Sequence, residues 1–186
     1  IVTFSRDLTL NDKSENALVF IDGNAVFEGS LDIGEDSGNT LLIIGADKTG
    51  TAEFEKNVTA NYVNLINGQA ILHDNSTVKT DTFAAGADSL LTLKGNATIE
   101  GDAIFGTKSS IAPGTNTLTI TGDANFEAGS LYHATLDKEQ SSRIKVGNIV
   151  QIRGGALADI GGGHLADPNS RGIPTRGVHD DRHLPP

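Results

Sequence analysis

One short turn recurs along this chain and limits what it can fold into more than any other feature. Gly23-Asn24-Ala25-Val26-Phe27-Glu28, Gly50-Thr51-Ala52-Glu53-Phe54-Glu55, Gly95-Asn96-Ala97-Thr98-Ile99-Glu100 and Gly122-Asp123-Ala124-Asn125-Phe126-Glu127 share the form Gly-x-Ala-x-apolar-Glu. Gly68-Gln69-Ala70-Ile71-Leu72 is a weaker copy. From one glycine to the next the intervals are 27, 18, 27 and 27 residues, about one solenoid coil or slightly less. Glycine permits a corner, the small alanine fits where the backbone turns inward, and the next apolar residue enters a stacked core. The glutamate then faces solvent.

Between the turns, apolar residues alternate with period two. Leu18-Val19-Phe20-Ile21, Tyr62-Val63-Asn64-Leu65-Ile66, Leu90-Leu91-Thr92-Leu93, Thr117-Leu118-Thr119-Ile120 and Arg143-Ile144-Lys145-Val146 read as strands with one apolar face and one of Thr, Lys or Asn. Gly, Asn, Asp or Ser interrupts nearly every helical window, so almost no helix is expected. An antiparallel sandwich with Gly-Asn and Gly-Asp hairpins is the competing architecture. Regular spacing and repeated phase favour coils instead, in which like side chains stack as ladders and few aromatics are needed. The expectation is an all-β parallel β-helix over residues 1–160.

Composition removes several functions. Lys+Arg 14 against Asp+Glu 24 gives a net charge of −10, which opposes binding to nucleic acid and to anionic lipid. Cysteine is absent, so disulfides, thiolate metal sites and cysteine nucleophiles are out. The longest apolar run, in Thr40–Gly45, is strand length, far below the roughly 18 residues of a membrane-spanning helix. Ile1-Val2-Thr3 follows no initiator Met and reads as a processed or cut end. Residues 161–186 hold four of the five prolines and three of the five histidines, His164, His179 and His183, with balanced charge. They read as a disordered or foreign tail, and the irregular histidine spacing does not suit a metal.

Ile111-Ala112-Pro113-Gly114, Thr117–Asp123, Ala128-Gly129-Ser130-Leu131, Leu136-Asp137, Ser142–Gly147 and Gly154-Gly155-Ala156-Leu157 follow one another in a specific order. This stretch resembles the C-terminal part of the passenger domains of bacterial autotransporters, the type V secretion family. The Gly-x-Ala repeats extend the resemblance over roughly residues 17–157. One departure is Arg143, where family members usually carry an acidic residue after the serine. The resemblance implies a right-handed parallel β-helix, secreted through the outer membrane and displayed on the bacterial cell surface as an adhesin or virulence stalk. It implies host cell-surface protein or glycan, or a like passenger on another cell, as partner. It ends near Ile160, before any linker helix or barrel, so the chain reads as a passenger fragment that does not insert itself into a membrane.

Catalytic candidates are few. His73-Asp74-Asn75-Ser76 groups the residue types of a serine hydrolase, but strand neighbours point to opposite faces and a polar turn is the better reading. No Gly-x-Ser-x-Gly elbow or Gly-rich phosphate loop occurs. Glu53/Glu55 and Glu100/Asp102 share strand faces at i, i+2 and define the alternative function, a polysaccharide lyase or tailspike-like hydrolase. The acidic loop Asp32–Asn39 has oxygen donors for calcium but, with Ile43 at the twelfth position, lacks the bidentate glutamate of an EF-hand. Sequons at Asn57, Asn75 and Asn96 mark glycosylation only in a host that modifies asparagine. The expectation is therefore no enzyme, no cofactor and no metal. Contact with partners is expected through the long faces and the loops Asp32–Asn39 and Asp137–Ser142.

Overall fold

The structure, a computed structural model, describes residues 1–10, 16–34, 39–47, 49–137, 139–153 and 157–161. Of the tail expected over residues 161–186, Gly161 ends a strand and residues 162–186 lie outside the described residues. Every regular element among those described is a strand, and each circuit of the chain lays strands on three faces in turn. The first circuit is β1 (Val2–Phe4), β2 (Leu8–Thr9) and β3 (Leu18–Ile21), the second β4 (Asn24–Phe27), β5 (Leu31–Gly34) and β6 (Leu41–Ile44). Next come β7 (Thr51–Phe54), β8 (Val58–Ala60) and β9 (Tyr62–Leu65), then β10 (Gln69–Leu72) with β11 (Thr77–Ala85), and β12 (Leu90–Leu93) with β13 (Ala97–Phe105). The last are β14 (Ser110–Ala112), β15 (Thr117–Ile120), β16 (Ala124–Phe126), β17 (Leu131–Thr135), β18 (Arg143–Val146), β19 (Val150–Ile152) and β20 (Leu157–Gly161).

On the first face β1, β4, β7, β10, β12, β14, β17 and β20 form an eight-stranded sheet. The second and third faces belong to one twelve-stranded sheet, because β11 and β13 run across the corner between them. The ladders are parallel; the one antiparallel contact among the described residues is an isolated bridge, Leu136 to Ser141. A parallel β-helix is thus the architecture, and the antiparallel sandwich is excluded.

Parallel pairing in register puts equivalent side chains above one another. Phe4, Phe27, Phe54, Leu72 and Leu93 form one inward column of the first face. The Phe4 and Phe27 rings stack at 4.8 Å and those of Phe27 and Phe54 at 5.2 Å. On the third face Phe83 and Ala85 of β11 lie over Ala103 and Phe105 of β13. These two circuits each hold one ring and one methyl with their positions exchanged, so large and small side chains interdigitate, while the next circuit repeats the order, with Ala124 over Ala103 and Phe126 over Phe105. Few aromatics suffice because six of the seven phenylalanines meet in ring pairs along the core, three of the four pairs stacked.

The Gly-x-Ala turns behave locally as the sequence implies: Ala25, Ala52, Ala70, Ala97 and Ala124 are all buried. They do not form one repeat, however. The first three are partners on the first face, whereas Ala97 pairs with Leu118 on the second face and Ala124 with Ala103 on the third. True first-face partners, Ala25, Ala52, Ala70, Leu91, Ile111 and Tyr132, advance by 27, 18, 21, 20 and 21 residues. The later 27-residue intervals overshoot a circuit by one face, because every corner poses the same steric problem and reuses the same solution.

The coil-length repeat lies in a different turn. Gly86-Ala87-Asp88-Ser89, Gly106-Thr107-Lys108-Ser109 and Glu127-Ala128-Gly129-Ser130 stack at the corner from third face to first. Their third residues have φ of 59°, 63° and 82°. Ser89 and Ser109 are buried and donate through Oγ to the carbonyls of Gly86 and Gly106 at 2.5 and 2.7 Å. Asp88 N donates to Lys108 O, and Lys108 N to Gly129 O, so the left-handed residues bond from circuit to circuit.

Alternation also fails in one place. β3 and β6 carry four apolar residues each, and Leu18 and Phe20 face outward and are exposed. That outer face is apolar where Thr, Lys or Asn was expected.

Two substitutions test this account by urea denaturation. Phe54→Ala, in the middle of a stacked column, should cost about 3–5 kcal/mol. Gly101→Ala should cost about 2 kcal/mol or more, because φ is +144° there and a Cβ would lie 1.7 Å from Thr80 O.

Candidate functional site

Asparagine and aspartate side chains fasten the corners. From first face to second, Asp7 Oδ1 accepts from Ser30 N, Asn57 Oδ1 from Thr77 N, Asp74 Oδ1 from Asn96 N and Asn96 Oδ1 from Thr117 N, at 2.8–3.2 Å. From second face to third, Asn61 Oδ1 accepts from the backbone N and the Oγ1 of Thr40, while its Nδ2 donates to Asp81 Oδ2. Farther along, Asp102 Oδ1 accepts from Asp123 N and Asp123 Oδ1 from Ile149 N. A corner breaks the strand ladder and leaves amides that a short oxygen-bearing side chain from the adjacent circuit satisfies.

The candidate catalytic groups fall within or beside this framework. In His73-Asp74-Asn75-Ser76 the chain turns at Asn75, whose φ is 60°. Ser76 is 1% exposed and donates through Oγ to His73 O at 2.8 Å, the same turn seen at Ser89 and Ser109. Its hydroxyl faces inward while the His73 ring faces outward toward Glu53, so the two do not meet. Glu100 and Asp102 flank the bend at Gly101 rather than sharing a flat strand face. Glu100 lies opposite Lys79 in the ladder and beside a cleft of about 200 Å³ also lined by Asn61 and Asp81, whereas Asp102 is occupied with the Asp123 amide.

Glu53 has the most developed surroundings. It projects from the first face, meets His73 Nε2 at 2.5 Å and forms an ion pair with Lys94, drawing one side chain from each of three successive circuits. The Lys94 ammonium, then the His73 ring, hold its carboxyl below the usual 4.5 against the opposing effect of burial. A general acid needs the opposite shift from the one at Glu53.

The two loops lie on different ridges. Asp32–Asn39 joins second face to third; residues 35–38 lie outside the described residues. Its base is closed by Thr40, which donates through Oγ1 to Gly34 O, and Asp32 Oδ1 accepts from Gly34 N. Asp137–Ser142, with residue 138 undescribed, joins first face to second and is pinched by the Leu136–Ser141 bridge and by Ser142 N donating to Thr135 O. At about 4.8 Å per circuit, the five circuits between them place the loops roughly 24 Å apart along the axis. Among the described residues no group of three His, Cys, Asp or Glu is placed to hold a metal ion. Of the sequons, Asn57 and Asn96 are corner fasteners, and Asn75 sits exposed at its turn. The corner ladder and the Glu53–His73–Lys94 group leave no signal in a short stretch of sequence, because they join residues one or two circuits apart.

Comparison with protein-family models, with curated proteins and with solved structures finds no match to this chain.

Glu53 predicts a definite pH dependence. Its folded-state pKa is depressed, so its contribution is present above the ordinary carboxylate value of 4.5 and is lost as pH falls through the folded value. The stability difference between the native chain and Glu53→Gln should be largest near neutrality and vanish in acid, as read from urea midpoints across pH.

Proposed function

We propose that this chain is a non-enzymatic passenger segment of the autotransporter kind, exported through the outer membrane and displayed at the cell surface, where it contacts a host surface or another cell. The observation that carries this reading is the use of the acidic side chains. The best-formed group, Glu53–His73–Lys94, is a neutralised ion cluster, and Asp7, Asp74, Asp102 and Asp123 cap backbone amides. Such an arrangement supports a scaffold with long outer faces rather than acid–base chemistry. The order of motifs between Ile111 and Leu157 supports the secretion route. Fold alone does not specify function, so the proposal rests on these groups.

The purified chain should bind intact host-type cells in a flow-cytometry assay, and replacing Asp32–Asn39 by a tight turn should abolish most of that binding. Polysaccharide turnover that disappears on replacing Glu53, Glu55, Glu100 and Asp102 by their amides would overturn the proposal in favour of the enzyme reading.

A further inference from the structure

The outer side of the third face is unlike the other two. Leu18, Leu41 and Tyr62 form one outward column, continued by Thr82 and Asp102; Phe20 and Ile43 begin the next, continued by Asn64, Ala84 and Ile104. Over the first three circuits this surface is almost wholly apolar, with Leu18 55%, Phe20 53% and Tyr62 39% exposed. Neighbouring strands lie about 4.8 Å apart, so these side chains are contiguous rather than scattered, and a contiguous exposed patch marks an interaction surface.

Beside the apolar circuits, the described charges on its borders are acidic. Asp22 and Asp47 lie at the corner beyond the ends of β3 and β6, Asp81 at the corner before Thr82, and Asp102 on the face itself. Across the strands from Leu18 to Gln151 the outward positions of this face carry no Lys or Arg among the described residues, whereas Lys79, Arg143 and Lys145 stand on the second face. A second copy of this chain would bring aspartates against aspartates, which disfavours self-association there.

We propose that the third face docks a cationic amphipathic protein segment, with apolar side chains lying over Leu18, Phe20, Leu41, Ile43 and Tyr62 and Lys or Arg reaching the aspartates on either side. The proposal rests on the reading of the chain as a binding module, and it names the surface and the chemistry of the partner. A sheet face fixed by the core beneath it presents these groups already ordered, which lowers the entropic cost of binding.

The test uses fluorescence anisotropy with the full chain and two labelled probes of equal charge, an amphipathic leucine–lysine peptide and a serine–lysine peptide. The leucine–lysine peptide should bind at least about tenfold more tightly, corresponding to about 1.4 kcal/mol. Leu41→Thr/Ile43→Thr/Tyr62→Thr, which gives the face the chemistry of its threonine-bearing neighbour, should remove that preference. Asp22→Asn/Asp81→Asn/Asp102→Asn, which keeps the acceptor oxygens, should weaken binding and flatten its salt dependence. Tyr62→Thr alone provides the same reading if the triple variant melts early. Equal binding of the two probes, unchanged binding by the threonine variant, or a dimer in sedimentation that the threonine variant dissociates would each overturn the proposal. Cell binding lost on loop replacement with peptide binding intact would support the docking face, while peptide binding lost with cell binding intact would overturn this inference alone.

Discussion

Parallel pairing at a fixed register is the constraint on which the rest of this molecule depends. It sets the vertical distance between circuits and places each side chain on its equivalent in the next. A position therefore has to suit its neighbours above and below as well as the core. Phe4, Phe27 and Phe54 satisfy this by stacking rings, and Phe83, Ala85, Ala103 and Phe105 satisfy it by exchanging large and small positions. Adding a circuit adds core of the same width, which is how a chain with few aromatics buries enough apolar surface to remain folded.

The corners obey the same constraint with different chemistry. Where the strands stop, backbone amides lose their ladder partners, and Asp or Asn from the adjacent circuit accepts from them. Buried serines close the turns that use a left-handed residue. Much of the acidic and polar composition therefore has a structural role, which is why counting carboxylates along the strands overstates the chemistry available. Glu53 illustrates the point: the Lys94 ammonium and the His73 ring, from the next two circuits, lower the pKa of its carboxyl on the outer surface.

With the interior and corners committed, functional variation is left to the outward faces and the longer loops. These outer positions stack on one another but need not fit the core, so they differ from face to face. The first carries the Glu53 ion cluster, the second threonines with mixed charge, and the third an apolar surface bordered by aspartates. Loops extend from two ridges about five circuits apart, so a partner touching both would have to lie along the axis rather than sit at a point.

The amino-acid sequence by itself determined that the chain is all-β, that its turns are glycine and asparagine corners, and that Ala25, Phe27, Ala52, Phe54 and their counterparts face inward. These are local matters, settled by pleat geometry and by the space a turn allows. It also placed His73-Asp74-Asn75-Ser76 in a turn, because alternation forbids the two reactive side chains from meeting. Only the tertiary structure decided which turn lies above which. The Gly95 and Gly122 copies fall on different faces from the first three because one steric solution serves every corner, and the coil period was carried by the less conspicuous Gly86, Gly106 and Glu127 turns. The Glu53–His73–Lys94 cluster, the corner ladder and the apolar third face likewise join residues one or two circuits apart, and their meeting is fixed by ladder register, a long-range property that no short window of sequence contains.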